Sequence, residues 1–274
     1  MAYLKQINLY PVKSLAGVSV PSATVEERGL AFDRCLMLVD SKGKFITARK
    51  YSTLLSYATA LVDEGIDITS PCNSVHRVKY SEFSGEVLTN LWREEITLKV
   101  ASDATNHWFS DQLEQVVRLV MVTDQLPRYR EKLQQQVSLS DGYPLLLIGQ
   151  ASLDELNRRA SEPSQMDQFR TNLVIEGSEE FAEDCWQSIR IGEVIFELPK
   201  PCERCVMTTV DLATFKPRAS KEPLATLATF RADPKGRLMF GENLLAKNSG
   251  KISVGDKIEV LTTRDGINYG QRHR

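Results

Sequence analysis

Short stretches in which apolar and polar residues alternate recur along this chain of 274 residues. Gly65–Thr69 and residues 95–100 alternate with a period of two, and residues 4–10 do so more loosely. Successive side chains of a strand face opposite sides of a sheet, so this period is typical of half-buried strands. Residues 35–40 form a short apolar run that indicates a further strand.

Helical patterns are fewer than strand patterns. Residues 103–117 carry apolar residues at helical spacing. Ser152 and Glu155 form a capping-box pattern that predicts the start of a short helix. Pro223 is placed for the first turn of a helix that ends near Phe230. Many short strands with few helices predict a β-rich α+β fold of barrel-like form.

Two connecting segments stand out from these patterns. Gly255 and Asp256 separate the strand patterns 251–254 and 257–260, which predicts a β-hairpin. Residues 124–141 are the least apolar stretch of the chain, so we expect a domain junction or a long exposed loop there.

The composition is that of an ordinary soluble globular protein, with 42% hydrophobic and 26% charged residues. The net charge of −2 provides no field that favours nucleic acid or an anionic membrane. No apolar run approaches the roughly 18 residues of a membrane span, and no apolar signal region begins the chain. Isolated cysteines in an odd number favour a reducing compartment, so we expect a cytoplasmic protein. The cysteines are Cys35, Cys72, Cys185, Cys202 and Cys205.

The most informative chemistry lies in the cysteine motif Pro-Cys-Glu-Arg-Cys, residues 201–205. We expect a strand at 194–198, a loop at 199–204 and a second strand at 205–210. Lys200 and Arg204 are close enough in sequence to lower a thiol pKa, and the thiolate is the metal ligand and nucleophile.

The residues of this motif alone leave four interpretations open. A structural zinc site needs about four N or S ligands, and His76, His107 and His273 show no ligand spacing. A thioredoxin-like redox pair needs a strand-to-helix context, whereas a β-branched run follows Cys205. Inert buried cysteines are the third reading. Two strand-end positions beside two cations favour the fourth, a thiolate that binds a soft metal.

Basic residues follow several other predicted strands. Lys13 and Ser14 come directly after the first strand, but no glycine-rich phosphate loop accompanies them, which excludes a P-loop enzyme. They suit an anion contact or an exposed turn. Arg34, Arg49 and Arg170 lie beside strands, where arginine usually protects an edge. If they converged, they would bind a multiply anionic ligand.

Seven motifs in the same order resemble the MOSC superfamily, named for the C-terminal domain of molybdenum cofactor sulfurases, and in particular the YcbX-like proteins and the mitochondrial amidoxime-reducing component. The resemblance runs from about residue 7 to residue 261. The motifs are Tyr-Pro-Val-Lys-Ser, Phe-Asp-Arg, Phe-Ile-Thr-Ala-Arg, Ser-Asp-Gly-Tyr-Pro, Phe-Arg-x-Asn, Cys-x-Arg-Cys-x-x-Thr-Thr-Val and Phe-Gly-x-Asn-Leu.

The resemblance implies a β-rich α+β fold in which a MOSC β-barrel domain packs with an N-terminal β-barrel-like domain. The implied domains are 1–123 and 124–262, followed by a C-terminal tail at 263–274. It also implies a mononuclear molybdenum enzyme with a molybdopterin cofactor.

The resemblance assigns the family's site residues to individual positions of this sequence. Cys205 would ligate molybdenum, and Cys202 would be a neighbour rather than a ligand. The polar contacts of the cofactor would come from Lys13, Ser14, Arg34, Gly142, Tyr143, Arg170 and Asn172. The mitochondrial proteins carry hydroxyl side chains at the Gly142-Tyr143 position, where this chain could offer backbone amides.

The implied activity is the reduction of N-hydroxylated compounds such as hydroxylamines, amidoximes and N-hydroxylated bases. Asp141 is the predicted proton donor or substrate-orienting residue. No flavin or nicotinamide fingerprint is present and no cysteine follows Cys205, so we expect a separate ferredoxin-like or haem electron donor. The alternative is a cofactor-binding or sulfur-carrier protein without reductase activity.

Overall fold

The computed structural model describes residues 1–270, so residues 271–274 of the predicted tail lie outside the described residues. Strands make up most of the regular structure. The strands are β1 Tyr3–Leu9, β2 Val18–Val20, β3 Ser22–Glu26, β4 Gly29–Leu30, β5 Leu36–Asp40, β6 Ala58–Val62, β7 Gly65–Thr69, β8 Val75–Lys79, β9 Ser84–Leu91, β10 Glu94–Val100, β11 Val117–Met121, β12 Arg128–Arg130, β13 Gln135–Val137, β14 Leu145–Gly149, β15 Leu173–Glu176, β16 Trp186–Ile191, β17 Val194–Glu203, β18 Val210–Asp211, β19 Lys216–Pro217, β20 Met239–Ala246, β21 Gly250–Ser253 and β22 Ile258–Thr263. The α-helices are α1 Asp103–Leu113, α2 Gln150–Arg159 and α3 Leu224–Phe230.

The chain divides into two compact units that interleave in sequence. Unit 1 contains Met1–Asn8, Ser19–Ala31 and the chain from Gly142 onward, and unit 2 contains Leu9–Val18 and Phe32–Asp141. The N-terminal strand belongs to unit 1 because β1 pairs antiparallel with β15. The predicted domain boundary after residue 123 therefore falls inside unit 2 and does not coincide with the junction between the units.

Unit 1 is built on an eight-stranded sheet in the order β2-β1-β15-β14-β20-β17-β16-β22. The β14–β15 pair is parallel, and β17 and β20 pair antiparallel at the centre of this sheet. Helices α2 and α3 contribute apolar side chains to a core on the sheet. This core contains Leu146, Ile148, Leu153, Leu156, Phe169, Leu227, Ala232, Leu238 and Phe240.

Unit 2 contains a four-stranded sheet, β5-β11-β10-β9, and a three-stranded sheet, β6-β7-β8. Helix α1 begins after Ser102, whose hydroxyl accepts a hydrogen bond from the Thr105 amide. It ends at Leu113 because Glu114 is left-handed. The core of unit 2 contains Met37, Val39, Leu91, Leu98, Val120, Val122 and Leu139. Within residues 1–270, no helix combines the length and apolar character that crossing a bilayer requires.

The β-rich α+β prediction is confirmed, as are the strands expected from alternation. The predicted hairpin at 251–260 is wrong. Strand β21 pairs with β3, and β22 pairs with β16. The backbone of Leu4 lies at the turn, where it accepts a hydrogen bond from the Gly255 amide and donates one to Asp256 O, both at 2.8 Å. The two strands therefore diverge into different sheets.

The capping box at Ser152 is also wrong, although the helix is present. Helix α2 begins one turn earlier, after Gly149. The Ser152 hydroxyl lies inside the helix and donates to the buried Glu183 carboxylate at 2.8 Å. Glu155 pairs with Arg158 and Arg159 on the same helix rather than with the N-terminal amides.

The conformation around the cysteine motif differs from the predicted strand–loop–strand. Strand β17 continues through the expected loop as far as Glu203. A 3-10 turn at Val206–Thr209 replaces the expected second strand, and only Val210 and Asp211 are extended. Residues 124–141 are likewise not one exposed loop, because β12 and β13 form a hairpin that carries the buried Arg128.

Candidate functional site

Irregular pairing between β17 and β20 sets the position of the cysteine motif in unit 1. The register shifts twice along this pair, before Lys200 and after Pro201. The Asn243 side chain on β20 donates to both carbonyls, at 3.2 Å to Lys200 O and 3.1 Å to Pro201 O. Gly241 has a φ of 74°, and a Cβ there would lie 2.7 Å from Leu147 O. Glycine and asparagine in the motif Phe-Gly-x-Asn therefore support the strand that leads into the cysteines.

Cys205 precedes the 3-10 turn at Val206–Thr209 and is half-buried. Its carbonyl accepts hydrogen bonds from the Thr208 amide at 3.0 Å and the Thr208 hydroxyl at 2.9 Å. Among residues 1–270, no group of three or more His, Cys, Asp or Glu side chains is arranged to hold a metal ion. Cys205 therefore presents a single thiol at the start of a braced turn.

Cys202 has a different environment from Cys205. It packs against the unit 1 core, and the Arg204 guanidinium donates to its sulfur at 3.0 Å. The same guanidinium donates to Phe169 O at 2.7 Å. Arg204 thus connects the cysteine motif to the segment that precedes Arg170.

Arg170 and Asn172 are both buried in unit 1. Arg170 ends a 3-10 turn in a left-handed conformation with a φ of 55°. The Asn172 side chain donates to Asn8 O at 3.0 Å and accepts from the Leu146 amide at 3.3 Å. Asn172 therefore ties β1 to β14, and this arrangement supports the backbone on which Arg170 lies.

Gly142 and Tyr143 open the long C-terminal part of unit 1. A Cβ at Gly142 would meet no atom within 4 Å, so the backbone there faces open space. The Lys200 ammonium lies 5.3 Å from the centroid of the Tyr143 ring, a cation–π contact. The two residues thus combine an accessible backbone with an aromatic ring beside a cation.

Four predicted residues, Lys13, Ser14, Arg34 and Asp141, belong to unit 2. Lys13 is buried, and its ammonium donates to Leu139 O at 2.8 Å and to Asp141 Oδ1 at 2.5 Å. Burial lowers the pKa of Lys13 to about 8, although Asp141 opposes this shift. The ammonium is thus held by one carbonyl and one carboxylate.

Asp141 is shared by several donors. Besides Lys13, the Arg49 guanidinium donates to Oδ2 at 2.5 Å and the Trp92 indole donates to Oδ1 at 2.9 Å. Burial alone would raise the pKa of Asp141, but Lys13 and Arg49 outweigh it and hold that pKa well below its usual range. The carboxylate is thus ionised at neutral pH, which favours an orienting role over a proton-donating one.

Ser14 and Arg34 lie on left-handed backbone, with φ values of 74° and 50°. Such conformations cost on the order of 1–3 kcal/mol and cluster at functional sites. The Arg34 guanidinium donates to Asp33 Oδ2 at 2.5 Å and lies 4.7 Å from the centroid of the Tyr10 ring. Asp33 also accepts from the Tyr10 amide at 2.7 Å. These contacts hold the arginine beside the turn that carries Lys13.

Two residues that contact Asp141, Arg49 and Trp92, were not among the site residues that the resemblance implied. Arg49 stood in a recognised motif, but its convergence on Asp141 depends on long-range folding. Trp92 has no motif around it; in the sequence it is a single aromatic residue shortly before the strand pattern at 95–100. We name Lys13, Arg49, Trp92 and Asp141 the Asp141 cluster.

The residues of each unit supply a distinct kind of chemistry. Unit 1 offers one thiol at Cys205, with a buried guanidinium at Arg170. Unit 2 offers an ammonium, a hydroxyl and two guanidinium groups, which are donors suited to an anionic, phosphate-bearing ligand.

Two family models match consecutive parts of this chain. The family model described as the MOSC N-terminal beta barrel domain matches residues 1–116, and that of the MOSC domain matches residues 134–259. Human mitochondrial amidoxime-reducing component 1 is 31% identical over 288 residues, which cover 93% of this chain and 82% of that protein. Rice molybdenum cofactor sulfurase is 32% identical, over 87% of this chain and 32% of that protein.

Among solved structures, the YuaD protein from Bacillus subtilis matches with a TM-score of 0.47 at 10% identity, over 94% of each chain. The two family models and the relatives that match along most of the sequence lead to the same conclusion. The chain belongs to the MOSC superfamily, with an N-terminal β-barrel domain followed by a MOSC domain.

Proposed function

We propose that this protein is a molybdenum cofactor-dependent oxidoreductase that reduces N-hydroxylated compounds. The observation that carries the proposal is the relationship to the human amidoxime-reducing component over 93% of this chain and 82% of that protein. The chemistry of the site residues agrees with it, because a thiol and a set of cationic donors are the groups that a metal-bearing anionic cofactor requires.

The donor set fits the cofactor in both charge and softness. A thiolate is a soft ligand suited to molybdenum, and Cys205 supplies one without a competing cluster of ligands among residues 1–270. Phosphate is bound by ammonium, guanidinium and hydroxyl groups. In unit 2, Lys13, Ser14 and Arg34 supply all three.

The residues have the following proposed roles. Cys205 ligates the metal, and Lys13, Ser14 and Arg34 bind the phosphate and pterin. Arg170 contributes a guanidinium, while the Gly142-Tyr143 segment contributes backbone amides. Asn172 and Arg204 position these groups rather than contact the cofactor, because their side chains bond to backbone and sulfur atoms of unit 1.

The proposed reaction converts a hydroxylamine R–NH–OH, two electrons and two protons into an amine R–NH₂ and water. When bound, the molybdenum cofactor supplies the two-electron chemistry and the acceptor for oxygen, and the protein supplies binding and orientation. The electrons come from a separate iron–sulfur or haem protein. Asp141 orients the substrate, since its ionised carboxylate accepts hydrogen bonds.

The proposed setting is the detoxification of N-hydroxylated compounds in the cytoplasm. Five free cysteines support a reducing compartment. The assignment of residues 124–262 to the MOSC domain is part of the proposal, and the matched family model covers residues 134–259. Neither nucleic acid nor a membrane is a proposed partner.

A second function is favoured by the similarity to the rice sulfurase, which matches this chain over a third of its own length. In that case Cys205 would carry a sulfur atom or the chain would hold the cofactor without reducing a substrate. The two functions differ in the fate of Cys205, which is a metal ligand in one and a persulfide in the other.

Paired cysteine variants test the proposal. Purified protein is analysed for molybdenum per chain and for benzamidoxime reduction with a reduced viologen dye as electron source. Cys205→Ala is expected to lose the metal and more than about 100-fold in turnover, because even residues that only support metal ligands contribute 10- to 100-fold. Cys202→Ala is the matched control and should keep both within about threefold.

A Cys205→Ala variant that retains metal and turnover would contradict the metal-ligand role of Cys205. Wild-type protein that carries a persulfide on Cys205 and reduces no N-hydroxylated compound would contradict the reductase function and support the sulfur-carrier function instead.

A further inference from the structure

Trp92 occupies an unusual position for a large aromatic residue. It lies in the two-residue connection between β9 and β10 in unit 2 and is 51% exposed. Its φ of 59° is left-handed, a conformation that glycine and asparagine adopt readily and bulky residues rarely do. A half-exposed indole on strained backbone contributes little to a core, and such strain clusters at ligand sites.

The indole is nevertheless held in one orientation. Its N–H donates to Asp141 Oδ1 at 2.9 Å, and the Arg49 guanidinium lies 4.9 Å from the centroid of its ring. The Phe45 ring is tilted against it at 5.1 Å between centroids. Three contacts on an exposed side chain preorganise a flat surface, and preorganisation lowers the entropic cost of binding a ligand.

Asp141 keeps capacity for a further hydrogen bond next to this surface. A carboxylate has about four acceptor sites. Lys13 and Trp92 donate to Oδ1, and Arg49 donates to Oδ2, which uses three of them. The side chain is 38% exposed, so a ligand N–H or O–H can reach the carboxylate.

We propose that Trp92 and Arg49 form a specificity-determining wall that selects flat, conjugated N-hydroxylated groups over saturated hydroxylamines. The inference rests on the proposed reductase function and adds residues that select its substrates. A conjugated amidoxime or N-hydroxylated base stacks on the indole and donates an N–H to Asp141 Oδ2. A saturated ring offers no π face for stacking and no amino group conjugated with the N–O unit.

The physical basis of the selection is stacking. Aromatic pairs gain roughly 0.5–1.5 kcal/mol beyond area burial, which corresponds to about three- to tenfold in binding. Arg49 strengthens the effect because a guanidinium stacks on aromatic faces while its N–H groups stay fixed by the carboxylate. The wall therefore discriminates between substrates without taking part in the redox chemistry.

Substitutions that keep the backbone conformation test the wall. Trp92→Asn removes the ring, and asparagine tolerates left-handed backbone, so the turn is preserved. Trp92→Tyr restores an aromatic face. Tyr129→Ala is the matched control, since Tyr129 is 56% exposed in unit 2 and its neighbours Arg128 and Arg130 point to the opposite side of β12.

Two measurements are made on each variant. Steady-state kcat/KM is determined for benzamidoxime and for N-cyclohexylhydroxylamine with reduced viologen. We expect Trp92→Asn to lower kcat/KM for benzamidoxime about three- to tenfold and to leave the cyclohexyl compound within about twofold. Trp92→Tyr should recover most of the loss, and Tyr129→Ala should change neither value.

The second measurement separates this inference from the proposed function. Calorimetry without any reductant gives the Kd of benzamidoxime for the protein, and Trp92→Asn should raise that Kd about three- to tenfold. Equal losses for both substrates, or an unchanged Kd, would overturn the wall while leaving the reductase function intact. Absence of turnover in the wild type with a Trp92-dependent Kd would overturn the reductase function and keep the binding surface.

Discussion

Lys13 in unit 2 and Glu242 in unit 1 are both charged residues removed from solvent, and burial moves both pKa values toward the same range. Burial lowers the pKa of Lys13 to about 8 and raises the pKa of Glu242 to about 8, although each has a partner of opposite charge that opposes the shift. The cause is the same in each case, because loss of water disfavours the charged form of any group.

The surroundings of the two residues differ. Asp141, the partner of Lys13, is 38% exposed, and Arg49, which also pairs with Asp141, is 25% exposed. Glu242 is fully buried, and its Oε1 has no hydrogen-bond partner among the described residues. A shifted pKa alone therefore does not identify a ligand site; the partner of Lys13, Asp141, is 38% exposed, whereas the partner of Glu242, Arg264, is 22% exposed.

The scaffold around Glu242 is a network of charges that connects distant strands of unit 1. Arg231 forms two hydrogen bonds with Asp184, at 2.6 and 2.9 Å. Arg264 donates to Glu242 at 2.7 Å and also to Leu198 O on β17. Arg264, expected as part of a tail, is thus attached to the strand that leads to the cysteine motif.

Removal of Arg231 is the strongest test of whether this charge network stabilises unit 1. Arg231→Ala should destabilise the protein by about 3–5 kcal/mol, because Asp184 would stay buried without its partner. Arg190→Ala is the matched control: its pair with Glu259 is exposed, and exposed pairs contribute about 0–1 kcal/mol. Urea unfolding measures both. Equal costs for the two variants would show that the network does not stabilise unit 1.

The second test concerns the pH dependence of stability. A carboxyl whose pKa is higher in the folded than in the unfolded protein holds more protons when folded. Glu242 therefore contributes its full share to the free energy of unfolding below about pH 4.5, and this contribution is lost as the pH rises through about 8. The slope from one group is at most about 1.4 kcal/mol per pH unit. Glu242→Gln removes this titration.

We therefore expect the difference in unfolding free energy between wild type and Glu242→Gln to change steadily between pH 5 and pH 8. Glu197→Gln serves as the control, since the Glu197 side chain is 44% exposed and pairs with the exposed Lys247. A constant difference across this range would mean that Glu242 is already ionised in the folded protein at pH 5.

Local patterns predicted which residues form strands better than they predicted which strands pair with each other. Alternation located β7 and β10, because a half-buried strand leaves its period in the sequence. The predicted hairpin at 251–260 is wrong because strand pairing depends on residues far away in sequence, such as Leu4. The predicted strand after Cys205 is wrong because the Thr209 hydroxyl donates to Val206 O at 2.7 Å, which favours a tight turn over an extended backbone.

Local patterns also could not predict which distant residues meet in the candidate site. Lys13 and Asp141 are separated by 128 positions in sequence, yet their charged atoms lie 2.5 Å apart. No local pattern reports such a contact, and only the order of motifs in a known family brought the two residues into one prediction. Trp92 belongs to no such motif, so its place in the Asp141 cluster required the three-dimensional structure.

The smallest expected effect concerns Lys13, which pairs with the partly exposed Asp141. Lys13 loses its proton with a pKa of about 8, so its charge falls about tenfold between pH 7 and pH 9. Binding of sulfate, which stays dianionic over this range, should weaken by up to about tenfold, as calorimetry can measure. Lys13→Arg keeps its charge at these pH values and should give a nearly flat profile. A parallel decline in wild type and Lys13→Arg would assign the titration to another group and remove the contrast with Glu242.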